Sequence, residues 1–175
     1  MKDTGLNSNS TPAYFYEDIT DITPEDIFAM GGKAVGIDLD NTCVYDSTLT
    51  FFKGVKEWLR KIENAGIPIV IVTNTYKARA KAISARMGGI PYICDAGKPS
   101  VGCFTKACEI TGVSLSEFVM IGDQLFTDIQ GANNAGAVSV RVRYKKREVL
   151  MWPYFLMIRK REKLYLESKG FGDKV

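Results

Sequence analysis

The segment AVGIDLDNT, residues 34–42, joins a short apolar run to two closely spaced carboxylates. An apolar run of this length predicts a buried parallel strand, and carboxylates at its C-terminal end are typical of a chemical site. Similar apolar runs follow at residues 67–72, 91–94, 118–121 and 137–142, with helical patterns between them. This alternation predicts an α/β fold: a Rossmann-like, doubly wound parallel sheet of about five strands with helices on both faces.

Helical patterns fill the intervals between these apolar runs. At residues 53–65 apolar side chains recur at helical spacing, and Gly66 follows as a natural helix stop. Another helix is predicted to begin at Pro24, with Thr23 as its N-cap. The remaining helices are predicted at residues 77–87, 100–110 and 127–135.

The chain length of 175 residues fits one domain. We expect residues 1–13 to be a polar, disordered N-terminus, residues 14–147 to form the α/β core, and residues 148–175 to form a basic, aromatic helical tail. Residues 141–175 hold eleven Lys or Arg against four Asp or Glu. The basic character of the chain is therefore concentrated at its C-terminal end.

Missing residue types and motifs restrict the chemistry. The chain contains no histidine, which excludes Ser-His-Asp and Cys-His nucleophiles and removes the commonest zinc ligand. Its four cysteines have neither C-x-x-C spacing nor the arginine that a cysteine phosphatase needs, so we expect reduced, structural thiols. No phosphate-binding loop, secretory signal or membrane-spanning apolar run is present, and a cytoplasmic location is the expectation.

Polar side chains follow four of the predicted strands. Because parallel strands open their carboxyl ends on one edge of the sheet, these side chains should share a small volume. They provide three carboxylates, a hydroxyl, an amide and an ammonium group. The residues are Asp38, Asp40, Thr73, Asn74, Lys98 and Asp123.

Three carboxylates in a small volume repel one another unless a cation neutralises them. A hard metal bound through oxygen fits best, and Mg²⁺ is the expected cofactor, although Mn²⁺ accepts similar ligands. Thr73 and Lys98 can donate hydrogen bonds to phosphoryl oxygens. The set therefore suits phosphoryl transfer, in which positioning and charge neutralisation dominate.

Four segments resemble, in order and spacing, the motifs of the haloacid dehalogenase (HAD) superfamily. They are DLDNT at 38–42, VTN at 72–74, KP at 98–99 and GDQLFTD at 122–128. The last of these, together with TPEDI at 23–27, is most similar to the YqeG-like branch and its phosphatidylglycerophosphatase relatives. This resemblance implies a phosphoric monoester hydrolase.

The resemblance also implies a two-step mechanism. Asp38 would attack phosphorus and form an aspartyl-phosphate, while Asp40 protonates the leaving oxygen and later deprotonates water. Asp128 would support the site by orienting Lys98 or metal-bound water. The resemblance assigns the metal to Asp38, Asp40 through its backbone carbonyl, and Asp123. It assigns the substrate phosphate to Thr73, Asn74 and Lys98.

The gaps between these motifs are too short for the cap domain of larger relatives, so we expect a capless enzyme. The resemblance implies a phosphorylated lipid headgroup such as phosphatidylglycerophosphate as the favoured substrate, and an uncovered site agrees with that choice. Such a substrate would place the protein at the inner membrane surface beside anionic lipid. A soluble metabolite, with closure by a homo-oligomer, is the alternative substrate, and a macromolecular phosphate is a third; we expect no nucleic-acid partner. A non-catalytic binding module of the same fold is the alternative outside enzymes.

The tail has two interpretations that can coexist. Its aromatic residues can cover the sheet edge while its basic residues face water. They can also lie at headgroup depth while the cations meet anionic lipid.

Overall fold

The computed structural model describes residues 9–145 and 152–172. Its centre is one six-stranded parallel sheet with the strand order β1-β6-β5-β2-β3-β4. The strands are β1 (Tyr14–Tyr16), β2 (Ala34–Ile37), β3 (Ile69–Val72), β4 (Tyr92–Ile93), β5 (Phe118–Gly122) and β6 (Val138–Val142). The five predicted strands are confirmed as β2 to β6.

The sixth strand, β1, was not predicted. It pairs in parallel with β6, so that Tyr14 lies opposite Val140 and Tyr16 opposite Val142. Three residues beside a polar segment are too few to show the alternating pattern of a strand. The pairing also depends on the free edge of β6, which is formed by residues far away in the sequence.

The N-terminal segment expected to be disordered includes residues 1–8, which lie outside the described residues. Residues 9–13 contact the core: Ser10 is buried, and the Nδ2 atom of Asn133 donates to the carbonyl oxygens of Asn9 at 2.7 Å and Thr11 at 2.9 Å. The predicted boundary between core and tail, at residues 147 and 148, also lies outside the described residues.

Helices cover both faces of the sheet, because alternate strand residues point to opposite sides. Val35 and Ile37 belong to one buried cluster with residues of α1, α2 and α3, whereas Val70 and Val72 belong to a second cluster with residues of α4 and α5. The predicted doubly wound fold is confirmed. The helices are α1 (Pro24–Ala29), α2 (Val55–Asn64), α3 (Lys77–Arg86), α4 (Gly102–Thr111), α5 (Gln130–Ala135) and α6 (Trp152–Ser168).

The C-terminal helix α6 packs on the core through its second half. Tyr165 and Leu166 are fully buried and form a third cluster with Leu125 and Ile129. The latter pair bounds a π-helical turn, Leu125–Ile129, that precedes α5. Among the described residues, no helix combines the length and apolar character needed to cross a membrane.

Candidate active site

The carboxyl ends of the central strands open into one cavity. The chain reverses its direction of winding at β2, which lies between β5 and β3, and ligands bind at such switch points in α/β sheets. All predicted site residues except the fully buried Asp123 line this cavity. Those lining residues are Asp38, Asp40, Thr73, Asn74, Lys98 and Asp128.

Lys98 lies at the centre of the site with its side chain buried. Its Nζ atom is 2.7 Å from Oδ1 of Asp38 and 2.6 Å from Oδ1 of Asp128, and it donates to the Val72 carbonyl at 2.6 Å. Burial alone would lower the pKa of Lys98, but the charges of Asp128 and Asp38 outweigh this effect and raise it. The ammonium group is therefore charged and bridges a carboxylate at the end of β2 and a carboxylate in the π-helical turn after β5.

The loop that carries Lys98 is fixed by Asn74. The Oδ1 atom of Asn74 accepts from the Lys98 backbone N–H at 2.9 Å, and its Nδ2 atom donates to the Lys98 carbonyl at 3.2 Å. Both hydrogen bonds use the Asn74 side chain, so this residue joins the end of β3 to the Lys98 loop. Thr73 is buried beside it, and its Oγ1 accepts from the Thr75 N–H at 3.3 Å.

Three buried carboxylates lie together, because one oxygen each from Asp38, Asp123 and Asp128 falls within 4.8 Å of the others. Burial raises the pKa of Asp123 to about 7, with Arg159 opposing the shift and Asp38 and Glu162 adding to it. Burial likewise raises the pKa values of Asp38 and Asp128, against the opposing charge of Lys98. Holding all three ionised therefore costs free energy unless a further cation is bound.

The donor set fits a hard divalent cation. All three ligand candidates offer carboxylate oxygen, and Oδ1 of Asp123 is buried without a hydrogen-bond partner among the residues that the structure describes. The cluster includes Asp128, for which the resemblance implied a supporting role. The resemblance assigned the metal to the backbone carbonyl of Asp40, and the Asp40 side chain contacts an arginine. The residues present thus fit the expected metal.

That arginine, Arg79, was missed by the sequence analysis. Its Nη1 and Nη2 atoms donate to the two carboxylate oxygens of Asp40 at 2.7 and 2.6 Å. Arg79 lies in the first turns of α3, where the sequence shows only a basic helix, and the 39 residues that separate it from Asp40 hide the pairing.

A second missed group comes from α6. Arg159 contacts Oδ2 of Asp123 and donates to Glu162 at 2.8 Å, while Glu162 accepts from the Leu125 N–H at 2.6 Å. Arg141 donates through Nε to the Asp123 carbonyl at 3.2 Å. Arg159 sits in the basic run that the sequence indicates as solvent-facing, so only the docking of α6 reveals its contact with the site.

Gly122 allows Asp128 to approach the end of β5. A methyl group at Gly122 would overlap the Asp128 carboxyl group. We expect Gly122→Ala to push Asp128 away from Lys98 and to lower the free energy of unfolding by about 1–3 kcal/mol, which urea denaturation measures. Gly102→Ala is the matched control, because Gly102 is helical with open space around its Cα and should be neutral or stabilising. Equal effects of the two variants would contradict this packing argument.

The fold and the charged cluster together define the class of protein. Residues 17–136 match the haloacid dehalogenase-like hydrolases, and the chain belongs to that family. A Bacillus subtilis protein named "Probable phosphatase YqeG" is 34% identical over 131 residues, which cover 75% of this chain and 76% of that protein. The hydrolase family inferred from the four motifs is confirmed.

Solved structures support the same fold at low sequence identity. A HAD-superfamily hydrolase from Ehrlichia chaffeensis superposes with a TM-score of 0.56 at 17% identity, covering 74% of this chain and 97% of that one. The cobalt-bound deoxy-D-mannose-octulosonate 8-phosphate phosphatase YrbI from Haemophilus influenzae gives a TM-score of 0.54 at 14% identity, covering 82% and 92%.

Proposed function

We propose that this hydrolase is a Mg²⁺-dependent phosphatase that forms an aspartyl-phosphate on Asp38. The observation that carries the proposal is the buried contact of Lys98 with Asp38, inside a cluster of three carboxylates at the sheet's switch point. A lysine and a divalent cation can neutralise phosphoryl oxygens while a carboxylate attacks phosphorus. The phosphatase name of the Bacillus relative supports the same reaction.

The reaction balances with the chain's own residues. An Asp38 carboxylate oxygen bonds to phosphorus as the bond from phosphorus to the alcohol oxygen breaks. The departing alcohol oxygen takes a proton from Asp40. Water then attacks the phosphoryl group and gives a proton back to Asp40, which releases phosphate and restores Asp38. Lys98 would exchange its contact with Asp38 for a phosphoryl oxygen when the ester binds, and Thr73 and Asn74 would hold phosphoryl oxygens beside it.

Asp38, Asp123 and Asp128 would hold the metal, with the Asp40 carbonyl as the further ligand that the family pattern implies. When bound, Mg²⁺ would supply positive charge that neutralises the carboxylates and the phosphoryl oxygens. Magnesium is favoured because all the candidate ligands are oxygen atoms.

The metal site predicts that stabilisation of the fold by Mg²⁺ depends on pH. The folded-state pKa of Asp123 is about 7, above its unfolded value, so this group's stabilising contribution is complete at low pH and is lost as pH rises through about 7. A bound cation offsets that loss. We therefore expect Mg²⁺ to raise Tm more at about pH 8 than at about pH 5. Thermal unfolding with and without Mg²⁺, with Asp123→Asn as the control, measures this, and an equal shift at both pH values would contradict it.

A phosphorylated lipid headgroup such as phosphatidylglycerophosphate is the favoured substrate. The expected capless site supports this choice, because in the described part of the chain α2 and its flanking loops fill the interval between β2 and β3. Phe155 of α6 lines the cavity, and the adjoining helix surface exposes Leu156 at 46%, Met157 at 54% and Leu164 at 53%. Exposed cations surround these apolar side chains, as in interfacial helices at anionic membranes. They are Lys160, Arg161 and Lys163.

Substrate choice is tested by Mg²⁺-dependent phosphate release from phosphatidylglycerophosphate in mixed micelles, sugar phosphates and phosphopeptides. We expect the highest kcat/KM on the lipid. Faster turnover of a sugar phosphate would favour the soluble metabolite, and faster turnover of a phosphopeptide would favour a macromolecule. An absence of turnover on every substrate would support a non-catalytic binding module.

Membrane contact of α6 is a separate measurement. Sedimentation with anionic and with zwitterionic vesicles should show anionic binding that weakens in a Leu156→Ser, Met157→Ser double variant. Alanine replacement of Ile110, another half-exposed apolar residue on a different helix, is the control. Unchanged binding of the double variant would remove α6 from the membrane contact.

A further inference from the structure

We propose that Arg79 is a positioning residue that holds Asp40 in the orientation needed for proton transfer to the leaving oxygen, and that this role shapes which leaving groups the enzyme accepts. This inference rests on the proposed phosphatase function. It concerns a residue of α3 outside the four sequence motifs. Arg79 itself lines the same cavity as Asp38 and Asp40.

The contact between Arg79 and Asp40 fixes both carboxylate oxygens. Oδ1 accepts two of the described hydrogen bonds and Oδ2 accepts one, so Oδ2 is the oxygen that would carry the transferred proton. The distances are 2.7 Å from Nη1 to Oδ2 and 2.6 Å from Nη2 to Oδ1, and the Ser47 N–H donates to the same Oδ1 at 3.0 Å. A planar guanidinium that binds a carboxylate through two parallel hydrogen bonds sets its plane as well as its position. A lysine at this position would supply charge without that geometry.

Arg79 is itself held in place. Nε and Nη2 donate to the Thr48 carbonyl at 3.2 and 2.8 Å, and Nη1 donates to Oγ1 of Thr75 at 3.0 Å. The side chain is 7% exposed, so its guanidinium is shielded from water. These contacts join Asp40, the loop after β3 and the loop around Thr48 through one side chain.

This geometry has a specific kinetic consequence. Proton donation to the leaving oxygen matters when the leaving group is a poor one, such as an alkoxide, and matters little when it is a stable phenolate. A carboxyl group turned away from the leaving oxygen should therefore slow alkyl ester cleavage selectively. A general loss of folding or of phosphate binding would slow both kinds of ester alike.

The test compares kcat/KM for glycerol phosphate and p-nitrophenyl phosphate, because kcat/KM reports the step that forms the aspartyl-phosphate. For Arg79→Gln and Arg79→Lys we expect kcat/KM on the alkyl ester to fall by about 10²-fold and on the aryl ester by less than about tenfold. Asp40→Asn should show the same selectivity. The Asp40→Asn, Arg79→Gln double variant should lose little more than Asp40→Asn alone, since the two residues act as one unit.

Arg86→Gln is the matched control. Arg86 lies on the same helix and donates to the Leu49 carbonyl of the same loop at 3.1 Å, but it is exposed and makes no described contact with Asp40. Its two kcat/KM values should stay near wild type, and urea denaturation of each variant shows whether it is folded.

Equal losses on both esters in folded Arg79 variants, or additive losses in the double variant, would overturn the positioning role. A wild-type enzyme that cleaves neither of these esters nor phosphatidylglycerophosphate in mixed micelles at saturating Mg²⁺ would overturn the phosphatase proposal, and this inference with it. The two failures are therefore distinguishable.

Discussion

Asp38→Asn should abolish Mg²⁺-dependent phosphate release, with kcat reduced by at least about 10⁴-fold. An amide of nearly the same shape cannot attack phosphorus, so the first covalent step is lost. The variant should remain folded, because burial raises the Asp38 pKa and an uncharged group is readily accommodated there. Phosphate release and urea denaturation, measured on the same preparation, separate chemistry from stability.

Glu25→Gln provides the control for Asp38→Asn. Glu25 is an exposed carboxylate at the start of α1 and is absent from the lining of the active-site cavity, so its loss should leave kcat near wild type. Retention of Mg²⁺-dependent turnover by folded Asp38→Asn would show that another group attacks phosphorus.

Lys98→Met should have the second largest effect, on both stability and turnover. The substitution keeps the length of the side chain but leaves Asp38 and Asp128 buried without their shared cation. Removing one partner of a buried ion pair costs about 3–5 kcal/mol, so the free energy of unfolding of the metal-free protein should fall by about that amount. Turnover should also be lost, because Lys98 contacts the nucleophile and would hold the phosphoryl group.

The double variant Lys98→Met, Asp128→Asn distinguishes charge imbalance from lost packing. Removing one of the two stranded carboxylates should restore part of the lost stability without restoring turnover. Lys81→Met, an exposed position on α3, is the control and should change the free energy of unfolding little. A Lys98→Met protein as stable as wild type would contradict the buried ion-pair interpretation.

The fold could be predicted from the sequence because its central strands are continuous apolar runs bounded by turn residues. Three strands are buried along their whole length: Ala34–Ile37, Ile69–Val72 and Phe118–Gly122. Their continuous apolar composition is enough to predict them as buried strands. The edge strand Tyr14–Tyr16 has no such run. It exists because β6 presents an edge with which it pairs.

The candidate site likewise contains residues that the sequence predicts and residues that only the structure reveals. Asp38, Thr73, Lys98 and Asp123 follow strand ends, so parallel topology alone brings them together. Arg79 and Arg159 lie on helices, and their contacts depend on how α3 and α6 dock, which periodicity does not determine. The sequence therefore indicates the groups that react, and the structure adds the groups that hold them.

The most direct test of the central claim is to trap the covalent intermediate. Wild-type protein mixed with Mg²⁺ and a phosphate ester, quenched in acid within the first turnovers and digested, should yield a phosphorylated peptide that contains Asp38, identified by mass spectrometry. Asp38→Asn should give no such peptide. Phosphate on a peptide that lacks Asp38 would contradict an aspartyl-phosphate at Asp38. The absence of phosphate from every peptide would also contradict it, if the wild-type protein turns over rapidly and the conditions slow hydrolysis of the intermediate.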